Sequence, residues 1–117
     1  MRKPTKKSLT RRLDAECSRI VRARGMCWKC GKDDYKHLET AHIFSRKNRS
    51  VRWDLDNMLC SCDGCHFWSH QNPLLFAEFV KEYLGNYKYQ QLKLKATSIR
   101  KWTLEEMQVL LQMLSAL

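Results

Sequence analysis

No apolar run in the chain reaches the roughly 18 residues that a membrane-spanning helix needs. A spanning helix is therefore not expected, which leaves an anionic membrane as the second expectation for a partner, after nucleic acid. The first twelve residues carry six basic side chains and no apolar core segment, which argues against a secretory signal. Internal repeats and low-complexity tracts are absent as well, so neither a solenoid nor a long disordered segment is expected. Acidic residues are scarce: 12 Asp and Glu face 22 Lys and Arg, a net charge of +10. Such an imbalance favours a polyanionic partner, because each phosphate neutralised releases condensed counterions. At 117 residues the chain fits one domain, burying roughly two thirds of the surface its unfolded form exposes.

Six cysteines are present, and the expected reducing cytoplasm decides how to read them. Cys27 and Cys30 form one Cys-x-x-Cys pair, and Cys62 and Cys65 form another. Paired knuckles of this kind make a closed four-sulfur zinc site, since a two-residue spacer lets both thiolates reach one ion. Cys60 is an alternative to Cys62 as ligand. Cys17 falls in a helical pattern and reads as a small buried hydrophobe.

The basic residues 1–7 read as a flexible arm and residues 8–117 as one domain, with its core at about 25–72. Leu9, Leu13, Cys17, Ile20 and Val21 recur at helical spacing over residues 8–24, with Ser8 or Thr10 as cap and Gly25 as stop. Residues 36–43 read as a short strand, 45–50 as a basic loop, 54–57 as a turn and 58–60 as a second strand. A short helix is expected over 66–70. A longer one starts at Asn72 and Pro73 and closes at Gly85, with Leu75, Phe76, Phe79, Val80 and Tyr83 as a core-facing stripe. Residues 86–96 read as a further helix, and Thr103 with Glu106 forms a capping box for a last one. Trp28, Trp53 and Trp68 are expected in the core around the knuckles. The fold class is thus α+β, with helices flanking a strand, loop, strand, knuckle, helix unit.

That unit carries the chemistry. Hydrolysis of a phosphodiester by in-line attack of water needs a base for the water and a cation for the developing charge. His42 at a strand end is the candidate base, because an imidazole titrates near neutral pH. His66 is a candidate metal ligand, and His70, four residues on, shares its face of a helix. Asn57 is suited to orienting the His42 ring through its amide. Arg46, Arg49 and Arg52 form a basic cluster beside the base and read as a phosphate clamp. His37 reads as a surface residue without a role.

Residues 27–70 resemble the HNH nuclease family, whose ββα-metal fold uses a His base, an Asn and a final His; a Cys-x-x-Cys on each side is similar to its zinc-bound subset. The steps of 15 residues from His42 to Asn57 and of 24 from His42 to His66 resemble those of the nuclease colicins. The resemblance implies His42 as catalytic base, Asn57 and His66 as its companions, and His66 with His70 as ligands of a catalytic Mg²⁺ or Mn²⁺ beside the structural zinc. It also implies that Glu39 orients a phosphate-gripping arginine, with Arg22 or Arg24 as the candidate. Many HNH sites carry a metal ligand where this chain has Ala41, so weak metal binding without DNA is expected.

Over a wider span, Leu13-Asp14 to Arg24, AHIFSR and RWDLDN resemble the Rap/NinG recombination endonucleases of lambdoid phages. That resemblance implies a phage or prophage gene in a bacterial host cell and a DNA partner, double-stranded or branched. Cutting a four-way junction on two strands favours a homodimer. The second knuckle of that family tends to end in Asn, where this chain has His66. The rival expectations are a non-catalytic zinc module that binds nucleic acid and a zinc-ribbon adaptor whose C-terminal helices bind a protein.

Overall fold

A computed structural model describes residues 3–117 as five α-helices and one two-stranded antiparallel sheet. The first helix, α1 (Lys6–Arg22), starts earlier than its apolar pattern predicts. Neither Ser8 nor Thr10 caps it. The Thr5 hydroxyl accepts from the Ser8 N–H, and the Thr5 N–H donates to the Ser8 Oγ, so both donors are satisfied reciprocally. Lys6 and Lys7 therefore belong to a helix rather than to a flexible arm. Of the rest of that expected arm, Lys3, Pro4 and Thr5 precede the helix, and Met1 and Arg2 lie outside the described residues.

Leu9, Leu13, Cys17 and Val21 of α1 are all but sealed from solvent, each position stabilised by about 1.5–3 kcal/mol if Leu or Val. They pack against α5 (Leu104–Ser115), whose Met107, Leu111 and Leu114 close the same core. The Thr103 and Glu106 capping box forms as expected and starts α5.

Strand β1 (Leu38–His42) pairs with β2 (Met58–Cys62) in a register that sets Leu38 opposite Cys62 and His42 opposite Met58. It is shorter than predicted, because Asp34 caps a one-turn 3-10 helix over Tyr35–His37 first. Two strands alone are marginal in water. Here both faces are covered: Leu38, Met58, Cys60 and Cys62 join the α1/α5 core, while Ala41 and Leu59 pack with Val80 and Tyr89. Val80 and Tyr89 come from α3 (Pro73–Leu84) and α4 (Asn86–Ala96).

Helix α2 (Asp63–Gln71) starts three residues before its expected place, directly at the end of β2. Cys62 is its N-cap, and its Sγ accepts the Cys65 N–H at 3.3 Å. Helix α3 ends at Gly85, which takes φ +84°. Its stripe is less buried than predicted. Only Val80 is sealed, whereas Leu75, Phe79 and Tyr83 stay about half exposed beside Trp28 and Trp68, with Trp28 edge-on to Phe76 and Tyr83. Trp53 is the one of the three knuckle tryptophans that is fully in the core. Among the described residues no helix is long and apolar enough to cross a membrane.

Candidate functional site

Two side-chain clusters meet along β1, β2 and α2. In the first, the sulfurs of Cys27, Cys30, Cys62 and Cys65 all lie within 4.8 Å of one another, with Cys30 and Cys62 at 3.6 Å. Sulfurs bound tetrahedrally at about 2.3 Å would be about 3.8 Å apart, so four cysteines in this arrangement suit an ion such as zinc. Cys60 is not among them. It packs into the α1 core from the middle of β2, whereas the Cys62 sulfur lies in the cluster.

Local backbone builds the cluster. Cys27 N–H bonds Lys32 O, Gly31 N–H bonds Cys27 O, and Gly31 takes the φ of +78° that this tight return requires. Trp28 N–H bonds Cys60 O and so ties the first knuckle to β2. Burial opposes ionisation of Cys27, but the N–H groups of Cys30, Cys62 and Lys29 outweigh it and bring the thiol down to about 6. Burial and the neighbouring thiols push Cys65 the other way. Cys27 thus ionises readily, whereas burial opposes the charge on Cys62 and Cys65, an opposition a bound cation would offset. Cys17, by contrast, is buried in the core with its thiol pushed up to about 12 and acts as a hydrophobe.

The second cluster lines an open cleft of about 1130 Å³ that holds His42, Glu39, His66, His70, Arg22 and Arg46. His42, half-buried at the end of β1, has Nε2 3.3 Å from the Arg52 carbonyl. A carbonyl only accepts, so Nε2 carries the proton and Nδ1 keeps its lone pair. Burial lowers the His42 pKa, the Arg52 carbonyl opposing and the Arg46 charge assisting, and the ring stays neutral at pH 7.

The support for that carbonyl comes from α1. Asp14 accepts two hydrogen bonds from Arg52, at 3.0 and 2.7 Å, and one from the Trp53 indole at 2.8 Å. Burial would raise the Asp14 pKa, but these bonds hold it below the usual range. Sequence reasoning missed Asp14 as a site residue. Its signal was an acid between Leu13 and Cys17 on the buried edge of a basic helix.

Asn57 does not orient the His42 ring. It is completely buried at the end of a 3-10 turn, where Oδ1 accepts from Phe44 N–H and Nδ2 donates to Phe44 O and Val51 O. Its amide can satisfy three backbone groups at once only by pointing into the loop, so it fixes the residues after His42 instead.

Glu39 likewise finds another partner. His66 Nδ1 donates to Glu39 Oε1 at 2.8 Å, which leaves Nε2 free toward the His70 ring, 4.9 Å away between centroids. Arg22 donates to Leu38 O and lies over the Tyr35 ring, and Arg24 donates to Met58 O and Leu55 O. The expected pairing of Glu39 with either arginine is therefore absent, because both guanidiniums are drawn to carbonyls left free at strand and turn ends. Arg52 is also spent, on Asp14. Of the expected clamp only Arg46 lines the histidine cleft, and Arg49 belongs to a second one. Ala41 is buried under β1 and offers no ligand. His37 is exposed beside Asp63 and Asp34.

Compared with known proteins, the chain matches no family model, no curated protein and no solved structure.

Proposed function

We propose that this protein is a metal-dependent DNA endonuclease of the HNH, ββα-metal type, with zinc in its four-cysteine cluster. The observation that carries the reading is His42: a half-buried imidazole with lowered pKa, its Nε2 proton committed to a backbone carbonyl, in a cleft that also holds a histidine pair. A general base needs a neutral ring with one lone pair aimed at water, and this hydrogen bond supplies that tautomer.

In this reading Nδ1 of His42 takes a proton from the attacking water. His66 and His70 would hold the Mg²⁺ or Mn²⁺, with Glu39 fixing the His66 tautomer. Such an ion, when bound, neutralises charge developing on the phosphoryl and leaving oxygens. Two imidazoles are a thin ligand set, so substrate phosphate completes it and metal affinity rises with DNA bound. Arg46 lines the same cleft and attracts the phosphate backbone. Asn57 acts as a positioning residue through the loop after His42. Branched recombination intermediates are the substrate class this reading extends to, cut by a homodimer in the cytoplasm of a phage-infected or prophage-bearing bacterium.

The test is incubation of wild type and His42→Ala with supercoiled plasmid and a four-way junction, with Mg²⁺, Mn²⁺ or neither. Cleavage that needs the added ion and drops by about 10²–10⁴ in the variant is expected. Binding without cleavage under every condition would replace this reading with the non-catalytic zinc module.

A further inference from the structure

A second cleft, of about 680 Å³, shares Asp14 with the histidine cleft. Three separate stretches of chain line it. Lys6, Lys7 and Arg11 come from the start of α1, Arg49 from the loop between the strands, and Arg100 and Lys101 from the segment before α5. Asp14 is the only carboxylate in its lining, and Arg52 already occupies it. Arg100 pairs with Glu106 at 2.9 Å. Among the described residues the other five cations have no carboxylate partner within 4.0 Å.

The floor is built rather than incidental. The Trp102 indole N–H donates to Arg49 O at 3.0 Å, its ring meets Trp53 edge-on at 5.3 Å, and the Arg100 guanidinium covers it at 4.1 Å. The Trp53 indole in turn donates to Asp14 of α1, which ties the third basic stretch to the other two. A run of charges on a convex helix face is ordinarily solvent-facing and repels itself at little cost. Five unpaired cations converging on a concavity is a different case, because low-dielectric walls focus their field and the repulsion is relieved only by an anion.

We infer that this second cleft binds the phosphate backbone of double-stranded DNA away from the scissile bond. The two clefts share Asp14, and Arg46 and Arg49 of one loop face one cleft each, so the basic surface runs from the histidines into the second cleft. The inference deepens the nuclease reading by naming what holds the substrate outside the cut. Its occupant is either the same duplex continued or another arm of a branched molecule.

Fluorescence anisotropy across a salt series tests it on the full chain carrying His42→Ala, so that no product forms, with a four-way junction, a linear duplex of the same arm sequence and a single-stranded RNA of equal phosphate count. Arg11→Ala with Lys101→Ala removes two exposed charges, while Lys93→Ala, on the exposed side of α4, controls for loss of a surface cation outside the cleft. The double variant is expected to bind DNA about tenfold more weakly and to lower the slope of log affinity on log salt by about 1.8, with Lys93→Ala nearly unchanged. Loss on both DNAs means one continued duplex, and loss on the junction alone means a second arm; either supports the inference. A double variant that behaves like Lys93→Ala on both DNAs overturns it, as does a loss confined to the RNA. Since cleavage is not read, a chain that binds and never cuts leaves this inference standing and removes only the nuclease reading.

Discussion

The cysteine cluster and the histidine cleft sit on the same strands and helix, yet they are held in opposite ways. The four cysteines are gathered by contacts close in sequence on each side: a glycine return after Cys30, and a helix cap at Cys62 whose partner is three residues away. His42 is held by a relay from distant parts of the chain, Asp14 to Arg52 to the Arg52 carbonyl to the ring. Ligand spacing alone can specify a site of the first kind. The second kind requires the folded core to exist first, because α1 must lie against the loop for Asp14 to reach Arg52.

The largest effect that would sharpen this contrast is loss of the cluster. Cys27→Ser, or treatment with a strong chelator, should abolish the cooperative thermal transition, since an ion of this sort can supply most of a stability of roughly 5–15 kcal/mol. Circular dichroism with metal analysis checks it, with one ion per chain expected. A chain that keeps its transition after Cys27→Ser would show that the cluster does not hold the fold.

His42→Ala should do the reverse, losing about 10²–10⁴ in cleavage rate with a melting temperature within a few degrees of wild type. Asn57→Ala should reverse that pattern in turn. It strips partners from three backbone groups in a sealed pocket and should cost about 2–3 kcal/mol in urea unfolding. Were Asn57→Ala to cut activity with stability intact, Asn57 would be acting on the His42 ring after all.

Asp14→Asn tests the relay itself. It keeps the shape and removes the charge opposite Arg52, for an expected loss of about 1–2 kcal/mol and a several-fold fall in cleavage by DNA-saturated protein. The smallest effect is on pH. Because the folded-state pKa of His42 lies below its ordinary value of 6.5, the unfolded chain binds the extra proton first. Its contribution to stability is thus present above pH 6.5 and is lost as pH falls through the folded-state value. Cleavage should rise with pH to a plateau whose midpoint is below 6.5. A midpoint above 6.5 would mean that the ring sits nearer a carboxylate than the Arg52 carbonyl does.

Much of this was legible in the sequence because it depends on short separations. The knuckles, the capping box at Thr103 and the Pro73 to Gly85 helix each follow from residues a few places apart. What the sequence did not disclose are partners chosen by three-dimensional proximity. Glu39 reaches His66 rather than an arginine, Arg22 and Arg24 are taken by carbonyls, and Arg52 is taken by Asp14. A guanidinium beside a free carbonyl at a strand end is committed before any phosphate arrives, and no spacing rule reports where those carbonyls fall. Trp102 was silent for the same reason, since its bond to Arg49 O spans 53 positions.

Cys62 ends β2, caps α2 and supplies one of the four sulfurs. Three jobs on one residue tie the histidine-bearing helix to the cluster at its first turn. Under the proposed nuclease reading, supply of the ion for the cysteine cluster would then set how much of the protein is competent, and metal scarcity would act as a brake on cutting without touching the cleft itself.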